Sequence, residues 1–78
     1  MITTFRGSID RTNKEFIVRA DSITLALDKV ETLFLDVLNN LVDYQIELEG
    51  DLMMERAAAR RRLIKLTPMN VYNDIIIL

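Results

Sequence analysis

The charges of this chain are sorted by segment, and any fold must either bring the two blocks together or hold them apart. Between Asp21 and Glu55 stand nine acids and one base, Lys29, a local sum of −8. The next ten residues, Arg56 to Lys65, hold five bases and no acid, a local sum of +5. The formal net charge of −2 conceals this contrast. Such sorting predicts surfaces of different potential, and potential selects partners. The alternative is that the bases pair with the acids, within one chain or between subunits.

The length of 78 residues predicts one domain, 1–78. A chain of this size buries roughly 60% of its unfolded surface, so its core is small. Small domains commonly add a disulfide, a metal or an oligomeric contact. This sequence has no Cys and no His, which removes disulfides and the commonest zinc ligands. Half of the residues are hydrophobic, with only two Gly and one Pro, so a linker-like disordered chain is excluded. The expectation is a packed apolar core, with part of the apolar surface covered by another subunit or a target. Met1 to Arg11 lacks the apolar centre of a secretory signal. No window approaches about 18 uncharged apolar residues, so no membrane span is expected. A cytoplasmic location follows as the expectation, and the lack of Cys agrees with it.

Residues 2–9 alternate loosely, with Phe5 and Ile9 on one side and Arg6 and Ser8 on the other. Residues 15–20 are β-branched and aromatic, with Phe16, Val18 and Ala20 sharing a face. The polar segment Asp10 to Lys14 between them predicts a hairpin. Ser22 reads as a helix N-cap, because its hydroxyl can accept from a free N–H of the first turn. Ala26, Val30, Leu33, Val37 and Leu41 follow at spacings of three and four, and Leu27, Phe34 and Leu38 widen the stripe. Leu25 and Leu35 fall toward the polar arc, more apolar surface than a monomer needs. Asn39-Asn40 reads as a helix stop. Val42 to Glu49 then alternates strictly between apolar and polar residues, which predicts a half-buried strand. Residues 52–62 are strong helix formers, although Arg62 to Leu66 can also begin a strand. Thr67-Pro68 ends whatever precedes it. Val71-Tyr72 and Ile75 to Leu78 read as a last strand or an interface arm. The predicted class is α+β, a small β-β-α-β-(α)-β domain with an antiparallel or mixed sheet and one long helix packed on a face.

Function classes narrow in the same way. Without His or Cys, the usual general base and the strongest nucleophile are missing, and Ser8 and Ser22 have no imidazole to activate them. There is no phosphate-binding Gly loop or dinucleotide fingerprint. An enzyme is therefore not expected, and no cofactor or metal is implied. The predicted contact surface is acidic: Asp28, Glu31 and Asp36 on the helix, with Asp43, Glu47 and Glu49 on the outer face of the predicted strand. Strand neighbours two apart lie about 6.8 Å from each other, close to a nucleic-acid phosphate spacing, so such an array would suit a basic groove. The alternative surface is the basic run Arg56, Arg60, Arg61, Arg62 and Lys65, which would contact phosphates in a nucleic-acid-binding or ribosome-associated module. It has no aromatic residue for base stacking. A structural homo-oligomer, with charge blocks paired between subunits, is the third expectation.

The stretch from Phe5 to Leu48 contains FIVRADSITLALDKV, with the pattern V-x-A-x-S-x-x-x-A from Val18 to Ala26. It resembles small phage-encoded α+β proteins that block a bacterial machine, such as anti-CRISPR proteins and the T7-type inhibitor of host RNA polymerase. That resemblance implies host takeover by a small protein-binding inhibitor, with a larger host protein or nucleoprotein complex as partner. Lys29-Val30 and Arg60 to Leu66 are also similar to archaeal ribosomal proteins of the LX type, from which the acidic stretch Asp36 to Glu55 departs.

Overall fold

In the computed structural model, which describes residues 2–50 and 55–69, the polar segment Asp10 to Lys14 turns the chain between β1 (Thr3–Ile9) and β2 (Glu15–Ala20). Arg11 takes a positive φ of 64° at the turn. The Thr12 hydroxyl donates to the Ile9 carbonyl at 2.7 Å and accepts from the Lys14 N–H at 3.1 Å, so one side chain fixes the loop. The hairpin is the one that the sequence pattern predicts. A third strand, β3 (Ile64–Pro68), pairs with the other side of β1, and the sheet order is β2-β1-β3 with both pairings antiparallel. The α+β class therefore stands.

Alternation divides the sheet into two faces. Phe5, Gly7, Ile9, Val18, Ala20 and Ile64 are buried beneath the helices. Gly7 is required by a close approach. A Cβ there would lie 2.4 Å from Phe16 Cε1 and 2.7 Å from Leu66 Cδ2. The Phe16 ring thus lies across the gap that the glycine leaves, and it meets Phe34 at a centroid distance of 5.4 Å.

Ser22 caps α1 (Ile23–Leu33) as predicted, accepting from the Leu25 N–H at 3.2 Å. The expected single long helix is instead two. Phe34, with φ −112° and ψ 27°, leaves helical geometry and joins α1 to α2 (Leu35–Glu49). A run at steps of four explains the break: Ala26, Val30, Phe34, Leu38, Val42 and Ile46 are all buried or partly buried. Each step of four turns a straight helix 40° too far, so six such residues cannot share one face without a change of axis. The same run corrects the predicted core stripe, because Leu33 is 76% exposed.

The larger correction concerns residues 42–49, which form the C-terminal half of α2 and not a strand. Asn39-Asn40 does not stop the helix, and the Asn39 side chain accepts from Arg60 Nη1 at 3.2 Å. Val42 and Ile46 continue the step of four into the core, so the helix gains burial by running on. Extending an existing helix costs far less than nucleating a new element. Gly50 ends α2 with φ 84°, its N–H bonded to the Ile46 carbonyl at 2.8 Å. Next comes α3 (Arg56–Arg62), which packs against α2, α1 and β3. It ends where Leu63 turns into β3, so the strand alternative for the residues after Arg62 is realised alongside a short helix. The predicted strand over residues 71–78 lies outside the described residues. The largest fully buried side chains are Ile9, Leu38, Val30 and Val42, contributed by β1, α2 and α1.

Candidate functional site

The two charge blocks meet. Arginines on the seven-residue helix α3 reach acids on both preceding helices. Arg60 Nε donates to Glu31 Oε2 on α1 at 3.0 Å and its Nη1 donates to Asn39 on α2. Arg61 Nη2 bonds Asp28 Oδ1 and lies 3.7 Å from Glu31 Oε1. Arg56 Nη2 donates to Asp43 Oδ1 on α2 at 2.7 Å. The ladder ties α3 to α1 and α2 around the break at Phe34. Only its centre is sheltered: the Arg60 and Glu31 side chains are 19% and 17% exposed. The outer pairs are well solvated and contribute about 0–1 kcal/mol each. The arginines at the end of α3 also complement the negative end of its dipole.

This arrangement redistributes both predicted surfaces. The six acids do not form one array. Asp28, Glu31 and Asp43 are held by arginine, which leaves Asp36, Glu47 and Glu49 on α2. The strand array of Asp43, Glu47 and Glu49 does not exist. On a helix Asp36, Asp43 and Glu47 share one face, whereas Glu49 projects about 200° round from Glu47. Glu49 instead accepts from Gln45 Nε2 at 3.1 Å. The basic run is likewise dispersed. Arg56, Arg60 and Arg61 are committed to acids, Arg62 is exposed beyond them, and Lys65 lies on β3. Three of these five bases are thus paired with acids, and the exposed Arg62 and Lys65 stand on different elements.

Two features escaped the sequence pattern. The first is the helix-free face of the sheet. Register places Arg19 beside Thr4, Arg6 beside Ile17 and Thr67, and Lys65 beside Ser8. Arg19, Arg6 and Lys65 thus run diagonally across three strands, with Glu15 at a corner. The second is a set of exposed apolar side chains beyond the Leu25 and Leu35 expected on the polar arc: Ile17, Leu33, Tyr44 and Leu48 are each more than 40% exposed. Ile17 stands on the open sheet face, and Tyr44 and Leu48 on the outer side of α2. Leu33 overhangs an open apolar cleft of about 450 Å³ along the outer edge of β2, lined also by Val18, Asp28, Lys29 and Thr32. The helical phase that puts Leu48 in solvent was hidden by the strict alternation of residues 42–49.

Among the described residues, no group of three or more Asp, Glu, His or Cys is placed to hold a metal ion. No described helix is long and apolar enough to cross a membrane. No family model, curated protein or solved structure matches the chain.

Proposed function

We propose that this chain is a small non-enzymatic protein-binding module that contacts its target through the outer face of α2. Asp36, Glu47, Tyr44 and Leu48 form the contact, with the Arg56–Asp43 pair beside them. The observation that carries this reading is the last turn of α2, where Glu47 stands on the outer face and the turn holds no base. Carboxylates at a helix C-terminus oppose the macrodipole, at a cost of about 0.3–1 kcal/mol each. Tyr44 and Leu48, 56% and 64% exposed, lie on the same outer surface as Glu47. A local arrangement that helps neither helix nor core fits a surface kept for a partner. The complementary target is a protein groove with apolar walls and basic residues, as in a nucleoprotein or a nucleic-acid enzyme, and occupancy of that groove would inhibit it. This retains the host-inhibitor expectation and moves its contact from a strand face to a helix face.

Affinity capture from the native host tests the reading, with the Asp36→Lys/Glu47→Lys variant and Arg62→Glu as a matched surface control. The expected result is a prey protein retained by the wild type and by Arg62→Glu and lost with the double variant. A prey retained equally by all three removes α2 from the contact.

A further inference from the structure

We propose that the outer edge of β2 is a self-association surface, where a second copy of this chain adds its own β2 antiparallel to the first. This is independent of the α2 reading, since it uses residues of β2 and α1 and none of α2. The edge has no neighbouring strand in the described residues. Its free groups follow from the pairing. The Met69 N–H donates to the Thr4 carbonyl at 2.8 Å, so Thr4, Arg6 and Ser8 direct their backbone groups toward β3. Alternation then turns Phe5 and Gly7 toward Val18 and Phe16 of β2. It leaves Glu15, Ile17 and Arg19 with N–H and C=O groups along the outer edge. Lys29 Nζ donates to the Arg19 carbonyl at 2.7 Å and caps one end, but that oxygen keeps a second lone pair.

The sequence of the edge identifies the occupant. Glu15-Phe16-Ile17-Val18-Arg19 has an acid at one end, a base at the other and Ile at the centre. With Ile17 on a two-fold axis, Glu15 stands opposite Arg19 of the second copy, and Arg19 opposite its Glu15. The two Ile17 side chains, each 64% exposed in the single chain, meet between these ion pairs. On the helix side, Phe16 and Val18 of each copy become cross-strand neighbours. The added strand lies along the cleft beneath Leu33, whose 76% exposure has no counterpart in the single chain's own core. An added strand thus supplies backbone partners for the edge, cover for Ile17 and Leu33, and charge complementarity in one register. The contact is isologous and closes at two copies, giving a six-stranded sheet with all helices on one face.

Charge reversal with mixing tests this. Glu15→Arg and Arg19→Glu are prepared separately and each is checked for native circular dichroism. The association of the wild type, each variant and their equimolar mixture is measured by sedimentation equilibrium. The wild type is expected to dimerise reversibly. Each variant alone places like charges at both ends of the contact, and its dissociation constant should rise on the order of 10- to 30-fold. The mixture sets every Arg opposite a Glu and should recover the wild-type constant within a few-fold. Recovery on mixing separates lost charge complementarity from a damaged fold. A wild type that stays monomeric at all concentrations overturns the proposal. So does a dimer that neither variant weakens, or one that mixing does not restore.

Discussion

Replacing Gly7 by Ala tests a close approach between β1, Phe16 and Leu66. The added Cβ would sit 2.4 and 2.5 Å from two atoms of the Phe16 ring and 2.7 Å from Leu66 Cδ2. Carbon atoms are comfortable at about 3.5–4.0 Å, so the ring must retreat by roughly 1 Å. It cannot do so freely, because Phe34 stands against it at 5.4 Å. Overpacking of this kind costs about 1–3 kcal/mol. Against it stands the smaller unfolded-state entropy of Ala, about 0.4–1 kcal/mol in its favour. Gly7→Ala is therefore expected to destabilise by about 1–2 kcal/mol. In urea, with a slope of about 1–1.5 kcal/mol per molar for so small a chain, the midpoint falls by about 1 M. The cause is checked in a Phe16→Ala background, where the same Gly7→Ala change should be neutral or stabilising. An unchanged or raised midpoint for Gly7→Ala refutes the reasoning, as does an equal cost in both backgrounds.

Two further outcomes follow from the helices. Val42 is fully buried and Leu48 is 64% exposed on the same helix, so Val42→Ala should cost about 2 kcal/mol and Leu48→Ala less than about 0.5 kcal/mol in urea unfolding. A strand over these residues would put both on one buried face, and equal costs would support it. Ser22→Ala removes the hydroxyl that accepts from the Leu25 N–H; a loss of about 1 kcal/mol is expected, and no change in the thermal midpoint would discount the cap.

What was legible in the sequence was mostly local. The hairpin could be read because its alternation, its polar turn and the cap at Ser22 all act within a few residues. Residues 42–49 could not, because Val42, Tyr44, Ile46 and Leu48 satisfy a period of two while Val42 and Ile46 also extend a helical step of four. Only tertiary contact decides between them, and α3 supplies it on the helical side. The candidate site suffered more, since which acids remain uncommitted depends on where α3 folds back. Arg60 finds Glu31 29 positions away in the sequence, and no pattern of spacing announces that partner. Lys65 was grouped with the arginines by sequence and is separated from them by the turn into β3. The exposed edge of β2 is a property of sheet order, set by β3 taking the other side of β1.

The central claim is that three of the five bases in the basic block, Arg56, Arg60 and Arg61, pair with the acidic block within one chain. A double-mutant cycle on Arg60 and Glu31 tests it most directly, using Arg60→Met, Glu31→Gln and the double variant in urea unfolding at concentrations too low for association. The sheltered pair is expected to show a coupling of about 1–2 kcal/mol, larger than the solvated Arg56–Asp43 pair by the same measurement. A coupling indistinguishable from zero at Arg60–Glu31 would contradict the claim and return the arginines to the surface as free cations.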